Sequence, residues 1–241
     1  MRKRGISLIC GILLALGITL TVIAFFIPGK ENTLLYTFDK KSAVSIDADL
    51  SDCDIIISRT ESDTLSVRIT DPSSKLISVR EEGGKILITD SVSAIEILKN
   101  PFKLGYSGFS SIIFSLIRND RPLVEIFIPS DTEISSLTLD LESSSSTVDV
   151  GRCLIFSAKA RSSSLTLNAL DSKSGIFNAT DSSLSLSLPF EEKDVSLLID
   201  ETECEITKNG KEDASFEASE SALCDIFVFA KNSHISIDFG K

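Results

Sequence analysis

The sequence predicts an all-β protein: a single β-solenoid, β-helix-like with about 20 residues per coil, preceded by one N-terminal transmembrane helix. Three observations predict it. An uncharged run of 22 residues, Ile6 to Ile27, follows a basic start. Beyond Pro28, apolar and polar residues alternate almost to the C-terminus, as strands with one buried face require. In the second half of the chain the alternating segments recur at a near-constant interval.

The N-terminal element comes first. Met1-Arg2-Lys3-Arg4 leads into the uncharged run, which Pro28-Gly29-Lys30-Glu31 ends. At about 1.5 Å per residue the run spans about 33 Å, the thickness of a hydrocarbon core. A cleaved secretory signal starts the same way, but its apolar region is shorter and ends in small residues, whereas this one ends Ala24-Phe25-Phe26-Ile27. The segment therefore reads as an uncleaved signal anchor. Cations precede the run and none is in excess after it, so the positive-inside rule places the N-terminus in the cytoplasm and the rest outside. The expected organisation is a cytoplasmic basic N-terminus over 1–5, a transmembrane signal anchor over 6–28, a linker over 29–38 and an exterior domain over 39–241, with a long loop or insertion at 91–121.

Strands in the first half are expected near Val44 to Leu50, Asp54 to Ser58, Leu65 to Thr70, Leu76 to Arg80 and Lys85 to Thr89, separated by turn residues such as Asp71-Pro72-Ser73-Ser74 and Glu82-Gly83-Gly84. The stretch 91–121 carries Gly105-Tyr106-Ser107-Gly108-Phe109 and the apolar Ile112-Ile113-Phe114. It reads as a long loop with a further buried strand, or as an apolar lobe for a membrane or partner.

The second half repeats. Apolar pairs stand at Val148 and Val150, Leu165 and Leu167, Leu184 and Leu186, Cys204 and Ile206, and Cys224 and Ile226. A second stripe runs through Leu139 and Leu141, Phe156 and Ala158, Phe177 and Ala179, Leu197 and Ile199, and Phe216 and Ala218. Polar corners such as Glu142 to Thr147, Arg161 to Ser164 and Asp181 to Ser183 join the two. Stacked coils would each bury an inward stripe and align their serines into ladders, with Leu165 and Leu184 inward and Ser163 at a tolerant corner. An antiparallel sandwich also alternates and turns often, but the steady phase of both stripes favours the solenoid.

Three stretches resemble the bacterial putative-adhesin family, a domain of unknown function found behind a short membrane anchor. They are Val44-Ser45-Ile46-Asp47-Ala48-Asp49-Leu50 with Cys53-Asp54-Ile55-Ile56-Ile57, then Glu125-Ile126-Phe127-Ile128-Pro129, then Ser-Ser units before alternating apolar residues. The family's Ser-Ser-Gly-Asp unit appears here as Ser144-Ser145-Ser146-Thr147, Ser162-Ser163-Ser164 and Asp181-Ser182-Ser183, without its glycine. The resemblance implies a coiled all-β fold at the cell surface and carries no catalytic residues.

Chemistry is sparse. His234 is the one histidine, so neither a histidine zinc site nor a Ser-His-Asp triad is supported. Five cysteines include no Cys-x-x-Cys pair; Cys204 and Cys224, one period apart, are expected to stack as buried thiols or to form a disulfide. Asp47, Asp49, Asp52 and Asp54 form the densest carboxylate group, but the first two alternate with apolar residues as a solvent face does, so calcium is not favoured. No catalytic, cofactor-binding or metal residue is assigned. With 35 acidic against 24 basic residues and a net charge of −11, nucleic acid is not a partner.

The expected function is a non-enzymatic, membrane-anchored surface module, an adhesin or envelope interaction scaffold whose partners are the membrane and a protein or envelope component. An envelope-stress or signalling accessory is the alternative, and an enzyme degrading envelope polysaccharide the third reading. Asp140, Asp149, Asp171, Asp181 and Asp200 are the carboxylates on which an enzyme would have to draw.

Overall fold

The computed structural model describes residues 32–39, 43–71, 77–90, 121–168, 170–212 and 222–240. Among these, regular structure is strand, save one 3-10 turn at Glu192–Asp194. The first half holds β1 (Asn32–Phe38), β2 (Ala43–Ser51), β3 (Asp54–Thr60), β4 (Leu65–Asp71), β5 (Ile77–Glu82), β6 (Lys85–Asp90) and β7 (Leu123–Pro129). The second half holds β8 (Glu133–Glu142), β9 (Ser145–Val148), β10 (Arg152–Arg161), β11 (Ser164–Leu167), β12 (Asp171–Thr180), β13 (Ser183–Leu188), β14 (Val195–Thr202), β15 (Glu205–Lys208), β16 (Lys211–Glu212), β17 (Cys224–Lys231) and β18 (His234–Phe239). β1 falls in the stretch expected to be linker.

Two sheets enclose one core. Sheet A runs β1-β4-β7-β3-β9-β11-β13-β18-β15-β16, and sheet B runs β14-β17-β12-β10-β8-β2-β6-β5. Six parallel sheet B strands turn a corner into a sheet A strand: β2 into β3, β8 into β9, β10 into β11, β12 into β13, β14 into β15, β17 into β18. Side chains alternate across each strand, so Ile46, Ala48 and Leu50 of β2 face Ile55 and Ile57 of β3 through a shared interior.

The all-β class stands, but the single solenoid is corrected. A solenoid stacks its coils in chain order with parallel neighbours throughout. Here both sheets are mixed: β1, β4 and β7 pair antiparallel, as do β5 with β6 and β15 with β16. The β5–β6 hairpin turns at Gly83 and Gly84, with φ of 59° and 82°, and a two-residue turn leaves no room for a parallel crossover. Spatial order also departs from chain order. β2 and β3 sit between β8/β9 and β6/β7, while β17 and β18 insert between β12/β13 and β14/β15. The insertion has a physical reason. Ile226, Val228, Ile235 and Ile237 are fully buried, whereas β14, β15 and the corner between them bring Asp200, Glu201, Glu203 and Glu205, which need solvent and take the end of the stack.

The inserted strands also correct the stripes. The column expected to run from Leu165 and Leu184 to Cys204 and then Cys224 runs Leu165, Leu184, Ile235, Ile206 across sheet A. The other runs Leu139, Ala158, Phe177, Val228, Ile199 across sheet B. Cys224 begins β17 opposite Val195, and Cys204 lies at the β14–β15 corner, so the two do not stack; both are free thiols. Phe216 and Ala218 lie outside the described residues. So do residues 1–31 with the expected anchor, and 91–120 of the expected insertion. Among the described residues no helix is long and apolar enough to cross a membrane, and the transmembrane helix is no part of the observed fold.

Candidate functional site: the hydroxyl face of sheet A

Corners set the geometry of this face. At each one a residue takes a left-handed backbone: Asp52, Ser143, Ser162, Asp181, Glu203 and Asn232, with φ between 48° and 58°. Asp and Asn are among the residues that tolerate this conformation best. The next residue turns inward. Cys53 N–H donates to Ser144 Oγ (3.3 Å), Ser144 N–H to Ser163 Oγ (3.1 Å), Ser163 N–H to Ser182 Oγ (3.1 Å) and Ser182 N–H to Ser233 Oγ (3.2 Å). Each hydroxyl donates in turn to the carbonyl two residues back, at Glu142, Arg161, Thr180 and Lys231. The expected serine ladder is thus present but buried: Ser163 is 6 % exposed, not a tolerant surface corner.

The ladder holds neighbouring strands in register, and that register arrays the outward residues of sheet A. One row runs Thr147, Thr166, Ser185, Ser236, Thr207 over β9, β11, β13, β18 and β15. Beside it runs Asp54, Ser145, Ser164, Ser183, His234, Glu205. Strands about 4.8 Å apart and alternate residues about 6.7 Å apart make this a two-row lattice of hydroxyls. Hydroxyls donate and accept, so the face between Asp54 and Glu205 can meet a polar polymer at many points.

His234 stands in this lattice between Ser183 and Glu205, its Nδ1 3.2 Å from Glu205 Oε2. A serine, a histidine and a glutamate therefore share one row, which the sequence spacing concealed. No hydrogen bond joins Ser183 Oγ to the imidazole, and the imidazole is 46 % exposed. A surface row without a nucleophile–base bond or an enclosing cleft is a poor place to activate a serine.

The carboxylates singled out in the sequence are scattered. Asp140 faces out of sheet B and binds Arg161 (3.0 Å) and Lys159 (3.6 Å). Asp149 follows β9, Asp171 opens β12, Asp181 is a corner residue accepting from Asn232 Nδ2, and Asp200 faces solvent on β14. Asp47 pairs with Lys85 (2.6 Å) on sheet B, while Asp54 lies beyond the corner on sheet A, 3.9 Å from Arg121. The turn at Asp52 thus splits the densest acidic group. Among the described residues no group of three or more His, Cys, Asp or Glu side chains is placed to hold a metal ion. Burial pushes the thiols of Cys53 and Cys224 up to about 12 and that of Cys153 up to about 11.

Sequence reasoning missed the half-buried guanidinium of Arg59. It donates to the carbonyls of Val150 (2.6 Å), Pro129 (2.9 Å), Thr132 (2.5 Å) and Arg152 (3.1 Å), tying β3 to two loops. Nothing in the local pattern distinguishes this arginine from a solvent-facing one.

No protein-family model and no curated protein matches the sequence. Solved structures do. A putative cell adhesion protein from Clostridium sporogenes superposes with a TM-score of 0.58 at 10 % identity, covering 87 % of this chain and 100 % of that one. A putative adhesin from Bacteroides fragilis gives 0.37 at 11 % identity over 88 % and 98 %, and one from Parabacteroides merdae 0.35 at 9 % over 89 % and 80 %. At such identity the chain has the fold of the Clostridium protein, and that is what the likeness shows.

Proposed function

We propose that this protein is a non-enzymatic interaction scaffold of the bacterial surface, an adhesin-like module that binds a protein or envelope polymer across neighbouring strands. One observation carries the reading: the two hydroxyl rows on the outer face of sheet A, held in register by the buried serine ladder. The name of the Clostridium structure agrees with it. Binding of this kind is spread over many weak contacts, so each hydroxyl contributes little alone.

The test is a binding assay on envelope preparations. Ser164→Ala, Thr166→Ala and Ser185→Ala are expected to act mildly one at a time and to abolish binding together. Purified protein is expected to leave envelope polysaccharide uncut. Cleavage lost in Ser183→Ala or His234→Ala would overturn the scaffold reading in favour of an enzyme, since removing one catalytic group lowers a rate by about 10² or more.

A further inference from the structure

Charge is divided unevenly between the two outer faces. Cations gather on sheet B: Lys85 pairs with Asp47, Lys159 and Arg161 pair with Asp140, and Lys231 stands exposed at the end of β17. Carboxylates frame the hydroxyl face of sheet A. Asp54 and Glu205 end the row that holds Ser145, Ser164 and Ser183. Beyond the threonine row a third row runs Asp149, Asn168, Ser187, Asp238, all exposed. Arg121 lies 3.9 Å from Asp54, and His234 stands beside Glu205. The Asp149 charge is felt by Arg59, but that guanidinium is spent on four carbonyls. Among the described residues no Lys or Arg stands in the three rows between β9 and β15.

We infer that the ligand of this face is a polymer of amino sugars with free, protonated amines, lying across the strands. The inference rests on the scaffold reading and names its ligand class. Charge complementarity selects the sign. An acidic frame on a chain of net charge −11 attracts ammonium groups and repels polymers that carry phosphate or carboxylate. The mix of groups separates a glycan from a basic peptide. In the three rows the outward residues of β9, β11, β13 and β18 include no apolar side chain, and hydroxyls outnumber carboxylates. The matching ligand therefore offers many hydroxyl partners, few charges and no apolar anchor, which describes a sugar ring bearing one amine. At about 4.8 Å between strands and about 3.3 Å per residue, the framed area measures about 24 by 13 Å, room for several rings.

The test compares hexamers of glucosamine and of N-acetylglucosamine, which share their ring hydroxyls and differ in whether the amine is charged. The full chain is kept in a non-ionic detergent, and binding is read by titration calorimetry in mildly acidic, low-salt buffer. The glucosamine hexamer is expected to bind tighter by about ten-fold or more, with the gap closing as salt is raised. Asp149→Asn combined with Asp238→Asn should bring the two affinities together. Asp200→Asn combined with Glu201→Gln makes the same charge change on β14 of sheet B and should leave the gap as it is. Unchanged thermal unfolding would show that both double variants still fold. Equal affinity for the two sugars, equal losses in the two double variants, or tighter binding of hexalysine than of the glucosamine hexamer would overturn the inference. Each of these outcomes leaves the scaffold reading in place. That reading falls separately, if the triple alanine variant of Ser164, Thr166 and Ser185 still binds envelope preparations as the wild type does.

Discussion

Phe156 stacks on Phe177, ring centroids 5.4 Å apart, although the β10–β12 register places neither opposite the other. Phe156 faces Gly175, and Phe177 faces Ala158. Each large ring thus sits across from a small residue, and the rings meet on the diagonal. A Cβ on Gly175 would lie 2.8 Å from Ile226 Cδ1 and 2.9 Å from Phe177 Cε2. Gly175→Ala is therefore expected to destabilise by about 1–3 kcal/mol, the usual cost of overpacking, as read by urea unfolding. A neutral result would mean that the stack yields freely.

The serine ladder and its neighbour Ser146 predict opposite signs for one substitution. Ser146 is 2 % exposed and its Oγ has no partner, because it faces Ile55 and Leu165 in the apolar column. Ser146→Ala is expected to stabilise by about 1 kcal/mol. Ser163→Ala strips the acceptor from the buried Ser144 N–H and should cost about 1–3 kcal/mol. Equal effects in denaturant titrations would count against the ladder.

Asp90 predicts a pH dependence. Burial pushes its carboxyl above the ordinary range, and Asp49 and Asp52 add to this, while the Ser51 N–H donating to it (2.7 Å) pulls the other way. The folded state then binds the proton more tightly than the unfolded chain does. This group's share of stability is accordingly full in acid and falls as pH rises through the carboxylate range. Asp90→Asn keeps an acceptor for Ser51 and removes the charge. It should raise stability at pH 7 and change little at pH 3; a loss at pH 7 would show that the carboxylate itself is needed.

The cysteines make a labelling prediction. With Cys53, Cys153 and Cys224 buried and their thiols pushed well above neutral pH, iodoacetamide at pH 8 should spare them in the folded protein and modify the half-exposed Cys204. Peptide mapping that found Cys224 modified as fast as Cys204, or the two joined, would contradict the arrangement of β14 and β17.

Strand periodicity was legible because alternation reports one buried face; Leu165 and Leu184 are inward at 1 % and 2 % exposure. Corner serines misled. A serine looks the same in sequence whether it faces water or satisfies a buried amide, so the ladder was legible but the burial of Ser163 was not. Strand order was illegible for a different reason. The interval between apolar pairs says which residues can stack, not which strand takes the middle place, and that was decided by how much charge β14 and β15 carry. Of the candidate site, the row of Ser183, His234 and Glu205 required β18 to lie between β13 and β15, which chain order hides.

The insertion of β17 and β18 bears on how the chain is made. A strand pair laid down in sequence could settle on its predecessor as soon as it emerged, but here β14 and β15 must either wait or dock on β12 and β13 and later be peeled away. Strands made after β14 and β15 become interior ones. A chain cut short before β17 would lose the filling between two layers already formed. Arrival of β17 and β18 is then the event that locks this end of both sheets, and a product terminated before them betrays itself by an open seam that a protease can enter.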